Sequence, residues 1–185
     1  MKKELRLGII TLSMALVIIC NTGFSQSKDM PKAEPTSPKC TSDEKPYRDF
    51  DFIIGNWEYR TTDGNKIGEQ TITKQGEGCA IIEEWTEVSG ITGRGISFVD
   101  PKTGLWRQVW MSSRFHIDYS GKLNDSGAMV LEGTMYPTNN NTSSKIRGVW
   151  MKQNDGSIKK EFLRFDENTN KWNAFFTGFA YPKKN

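Results

Sequence analysis

From residue 47 onward, apolar and polar positions alternate in short runs rich in β-branched and aromatic residues, and turn chemistry closes each run. After residue 25 no window keeps an apolar i, i+3, i+4, i+7 stripe for three turns, so the periodicity is that of strands and not of amphipathic helices. The first run enters through Gly55-Asn56-Trp57 and ends near Thr62. It is followed by runs at 67–75, 79–88, 94–99, 105–111, 115–123, 129–136, 145–152, 158–165 and 172–181, ten candidate strands in all. Asp63-Gly64-Asn65, Gly76-Glu77-Gly78, Asp100-Pro101-Lys102-Thr103-Gly104 and Asn154-Asp155-Gly156 are among the separators, and each carries residues that set or tolerate turn dihedrals. The connections are short, which suits an antiparallel up-and-down meander. With this many strands a meander tends to close, because closure removes both edges. The predicted fold is an all-β closed barrel of about ten strands; the alternative is a β-sandwich, which would normally need a long crossover.

Period-two alternation assigns faces. Cys79, Ile81, Glu83, Trp85 and Glu87 share one side of their run, and Trp106, Gln108 and Trp110 share one side of a later run. Large rings with single polar groups between them are the composition of a ligand cavity, whose apolar walls give affinity and whose few polar atoms fix orientation. Trp85, Trp106 and Trp110 are the candidate wall, and Glu83 and Gln108 the candidate polar contacts. A buried Glu83 would have a raised pKa and would be the candidate acid or base if the barrel were an enzyme. The competing expectation is a barrel filled by its own rings, acting as an interaction module through its loops. Gly55 and Trp57 are expected at the barrel floor, where a glycine lets the backbone pass under a large ring.

Several motifs, in order, resemble those of a known family. Phe50-Asp51-Phe52-Ile53-Ile54-Gly55-Asn56-Trp57 is similar to the entry motif of lipocalin-like (calycin) proteins, closest to a family of secreted bacterial domains. Gly78-Cys79 leading to Glu83-Glu84-Trp85, the turn Val99-Asp100-Pro101, the strand Trp106-Arg107-Gln108-Val109-Trp110 and the closing Phe176-Thr177-Gly178-Phe179-Ala180-Tyr181 continue the likeness, with departures at Val99 and Thr177. The resemblance implies a lipocalin-like barrel over residues 47–185. The arginine that lipocalins stack on the first tryptophan is missing from the last strand, so Trp57 is expected to find another partner. Nitrobindins, also ten-stranded, hold haem through a histidine near the C-terminal end. Residues 172–185 contain none, so no haem or other cofactor is expected.

The N-terminus changes the picture of compartment. Lys2, Lys3 and Arg6 precede an apolar run from Leu7 to Cys20, too short for a comfortable membrane span, and Gly23-Phe24-Ser25 offers small residues at a cleavage site. A signal peptide over residues 1–25 is predicted, hence export to the periplasm or the medium with no transmembrane span after cleavage; the alternative is a lipid anchor on Cys20. Residues 26–46, rich in Pro, Lys, Ser and Glu, read as a flexible linker. Cleavage removes Lys2, Lys3, Arg6 and Glu4, taking the 25 basic and 22 acidic residues to 22 and 21, a net charge of +1. Both signs alternate along the chain, which argues against a nucleic-acid partner.

Cys40 and Cys79 would then be the two remaining cysteines in an oxidising compartment. A disulfide between them and a free, buried Cys79 are both compatible with the sequence. One histidine, His116, falls on the Arg114 and Asp118 face, opposite the apolar one, so it is expected outside. No His/Cys set has metal-ligand spacing, so no metal is expected. No Gly-x-Ser-x-Gly or phosphate-binding glycine loop is present. The expected function is binding of a small, largely apolar molecule in the barrel interior. An isomerase, hydratase or cyclase on the same scaffold is the enzymatic alternative.

Overall fold

The structure is a computed structural model and describes residues 39–183. The expected signal peptide and the alternative anchor at Cys20 lie outside the described residues. Ten strands follow one another: β1 Gly55–Thr61, β2 Lys66–Gln75, β3 Ala80–Glu87, β4 Thr92–Val99, β5 Trp106–Ser112, β6 Phe115–Leu123, β7 Ala128–Pro137, β8 Ser144–Lys152, β9 Ile158–Asp166 and β10 Lys171–Pro182. Each pairs antiparallel with its neighbour in sequence, and β10 returns to β1 through Trp57 to Thr61 against Pro182 to Gly178. The closed meander rules out the sandwich. Each of the ten runs read from alternation corresponds to one of these strands.

A meander puts alternate hairpins at opposite ends. The β2–β3, β4–β5, β6–β7 and β8–β9 turns ring one end, together with both ends of the described chain. The other five hairpins ring the opposite mouth.

The first end is closed by the segment preceding β1. A short 3-10 turn, Asp51–Ile53, carries Phe50 and Ile53 into the interior, where they are 0% and 1% exposed. The Phe50 ring meets Trp106 at 5.6 Å and Trp150 at 5.3 Å, both edge-on, a favoured aromatic geometry. Trp57 completes this floor, and in place of the absent arginine its indole Nε1 donates to the Ile53 carbonyl oxygen at 2.7 Å. Gly55 turns the chain into β1 at φ +145°, and its missing Cβ would stand 3.4 Å from the Trp57 ring, so the Gly-x-Trp pair is fixed by backbone conformation.

The segment read as a linker is fastened at its described end. Cys40 and Cys79 form a disulfide, with Cα atoms 4.8 Å apart, which closes the question left open by the sequence. Arg48 donates to the carbonyl oxygens of Cys40 and Gly78, and Asp51 pairs with Lys74 at 2.5 Å. Trp106 Nε1 donates to the Pro46 carbonyl oxygen at 2.9 Å. Residues 40–46 are therefore strapped across the closed end. Composition hid this, because the fastening comes from one cysteine and from backbone carbonyls that any sequence supplies.

The outer face carries the charges. Arg94 with Glu84, Arg107 with Asp118 and Arg147 with Glu132 pair between neighbouring strands, exposed contacts that add little stability. His116 lies outside as expected, stacked on Tyr136 at 4.7 Å and 15°. No helix among the described residues is long and apolar enough to cross a membrane.

Candidate ligand cavity in the open half of the barrel

Inward positions differ in kind along the barrel axis. At the closed end they are large and interlocked: Phe50, Ile53, Trp57, Ile81, Trp106, Met129 and Trp150 are all buried. At mid-height they become polar. Toward the mouth they are rings that stand apart and enclose a cavity of about 410 Å³. That volume lies at the small end of the roughly 300–1,000 Å³ usual for small-molecule sites.

The polar belt is centred on Glu83, 1% exposed. Gln70 Nε2 donates to its Oε2 at 2.8 Å, Gln108 Nε2 donates to its Oε1, and Ser97 Oγ reaches Oε1 at 3.4 Å. Gln108 also lies 2.8 Å from Ser97 Oγ and accepts the Tyr119 hydroxyl. These residues come from β2, β3, β4, β5 and β6, and period two turns each of them inward at the same level. Burial raises the Glu83 carboxyl above its ordinary value, opposed by Lys160 and then by the three donors. Burial likewise pushes the Tyr59 and Tyr119 phenols up, with the Glu83 charge adding to it.

Lys160 faces the belt from β9. It is 8% exposed and lines the cavity, and it makes no hydrogen bond or ion pair with another of the described residues. Its ammonium sits among aromatic faces, 5.4 Å from the Tyr59 centroid, 5.3 Å from Trp150, 5.2 Å from Phe162 and 5.9 Å from Trp110. Such contacts offset part of the cost of burying a charge. Burial lowers the Lys160 pKa, and Glu83 opposes that shift. Gln70 Oε1 is a second unmatched atom, a buried acceptor with no donor.

The tryptophans keep the space open by lying flat on glycines. Gly68 on β2 stands beneath Trp85, where a Cβ would come within 2.4 Å of the ring, and Gly95 on β4 stands beneath Trp110, where it would come within 2.9 Å. Trp85 also meets Tyr59 edge-on at 5.3 Å. Phe162, Phe175 and Phe176 form the wall opposite. At the rim Arg114 pairs with Glu87 at 3.0 Å.

Of the residues singled out from the sequence, Trp85, Trp110 and Gln108 line the cavity. Glu83 lies behind it, held by the two glutamines. Trp106 is in the floor at the other end, packed on Phe50, and Gly55 and Trp57 are in that floor too. The sequence reading did not select Lys160, Gln70, Tyr59 or Tyr119. Ile158-x-Lys160-x-Phe162 and Gly68-x-Gln70-x-Ile72 do alternate with their apolar neighbours, and that was the available signal. For lysine it is outweighed by the rule that lysines stay in water. Among the described residues no group of three or more His, Cys, Asp or Glu side chains is placed to hold a metal ion.

Fold and cavity together define a closed ten-stranded antiparallel barrel, compatible with a lipocalin-like fold, with one end plugged and the other hollow. Among known proteins, no family model matches the chain, and no curated protein matches it.

Proposed function

We propose that this protein is an exported, lipocalin-like barrel, akin to the secreted bacterial family its motifs resemble, and that it binds a small, largely apolar molecule in the open half. The observation that carries the reading is the division of the interior. Phe50, Trp57, Trp106 and Trp150 fill the closed end, whereas Trp85 and Trp110 are drawn back over glycines and leave about 410 Å³ unfilled. Close packing is the rule in protein interiors, and a gap lined by rings with polar groups at its base is the usual form of a binding site.

This division favours binding over a filled interaction module. It also bears on the enzymatic alternative, because Glu83 does not line the cavity and spends its oxygens on Gln70, Gln108 and Ser97. Its role in this reading is to fix two amides. The test is native mass spectrometry of the chain from Gln26, purified without detergent from the compartment to which it is exported. A bound mass lost on denaturation is expected. A clean apo mass that stays unshifted after exposure to a lipid and metabolite extract would contradict the reading.

A further inference from the structure

We infer that the ligand is an amphiphile with a carboxylic acid head, seated inward against Lys160, with its apolar body toward the mouth. The inference rests on the binding reading above and names the ligand class.

Two observations point inward to the head. First, Lys160 is more than nine-tenths buried, lines the cavity, and has no carboxylate of the described residues within ion-pair distance. The aromatic faces around it stabilise a cation but accept no hydrogen bond of ordinary strength, so up to three N–H donors remain to be matched. A charge-assisted bond from such a group to a carboxyl oxygen is about twice as strong as a neutral one, more so away from water. Second, Gln70 lines the same cavity, and its Oε1 is a buried acceptor without a donor. A carboxylic acid can serve both groups, its carbonyl oxygen accepting from Lys160 Nζ and its O–H donating to Gln70.

Above this level the wall is Trp110, Phe162, Phe115 and Phe176, with no further polar side chain until Glu87 and Arg114 at the rim. Glu87 and Arg114 already pair with each other, so neither is free to take the head.

The test uses decanoic acid and 1-decanol, which share a chain and differ in the head, each displacing the neutral probe N-phenyl-1-naphthylamine from the full mature chain. The wild type is expected to prefer the acid by about tenfold or more. In Lys160→Met that preference should vanish through weaker acid binding. Equal affinity for acid and alcohol in the wild type would overturn this inference alone, whether or not the variant folds. So would a preference that survives in Lys160→Met. Failure of the probe and of both decyl compounds to bind the wild type would overturn the binding reading and this inference with it.

Discussion

Gly95 on β4 stands opposite Trp110 on β5, and the indole lies so close above it that a Cβ would meet the ring at 2.9 Å. The glycine is what lets a tryptophan be wall instead of filling. Gly68 on β2, diagonal to Trp85 on β3, stands likewise beneath that ring, where the gap would be 2.4 Å. In both cases the residue that sets the cavity's width contributes no atom to its lining.

Gly95→Ala should push the Trp110 ring inward. The overpacking costs about 1–3 kcal/mol of stability. A narrower cavity should weaken a neutral apolar probe by about tenfold, ~1.4 kcal/mol. Urea unfolding and a fluorescence titration measure the two effects, and unchanged affinity would separate the ring's position from the site.

The closed end should behave differently. Phe50→Ala removes a ring that is 0% exposed and wedged between Trp106 and Trp150, so a loss of about 3–5 kcal/mol is expected. Probe affinity of the folded fraction should stay within about twofold of wild type, because the cavity lies at the opposite end. A matching loss of affinity would show that floor and cavity are not separable.

Cys40 and Cys79 are 39 positions apart, and a loop of that length constrains the unfolded chain by about 4 kcal/mol. Reduction should lower the melting temperature by on the order of 10 °C. Calorimetry with and without reductant checks this, and the double variant Cys40→Ala/Cys79→Ala should melt with the reduced protein. An insensitive melting temperature would mean that Arg48, Asp51 and Phe50 hold the strap without the bond.

Glu83 predicts a pH signature. Burial raises its carboxyl above the ordinary value of 4.5, so between that value and the folded one the native chain keeps a proton that the unfolded chain has released. Its contribution is therefore fully present below pH 4.5 and declines as pH rises. Glu83→Gln has no proton to lose. The stability of wild type relative to this variant should fall as pH is raised from about 4.5 toward neutrality, as read by denaturant unfolding at each pH. Comparison with the variant cancels the exposed carboxylates such as Glu69, whose lowered pKa, set by Lys183 and Lys66, gives the opposite slope at acid pH. A flat difference would mean that the three donors, with Lys160, keep Glu83 ionised throughout.

The barrel was legible because alternation and turn chemistry are local properties. The Ile158-x-Lys160-x-Phe162 run and the Asp100 to Gly104 hairpin each announce themselves within a few residues. The same local rule placed Glu83, Trp85, Gln108 and Trp110 on inward faces. It could not say at what height each sits, and so it grouped Trp106 with Trp110 although one is floor and the other wall. Height depends on register around a closed sheet and on what plugs the end, here Phe50 and Ile53 from a 3-10 turn with no strand pattern. Lys160 was hidden for another reason: its burial is supported by rings from β1, β5, β8 and β9, a coincidence that exists only after closure.

The central claim is that the open half of the barrel is a binding site and not a packing gap. It is tested most directly by titrating N-phenyl-1-naphthylamine into the wild-type chain and into Trp110→Arg, a substitution that places a charged side chain in the wall. Saturable binding of one probe per chain in the wild type, weakened at least tenfold in the variant while the fold is retained, is the predicted result. No saturable binding in the wild type, or equal binding in both, would contradict it.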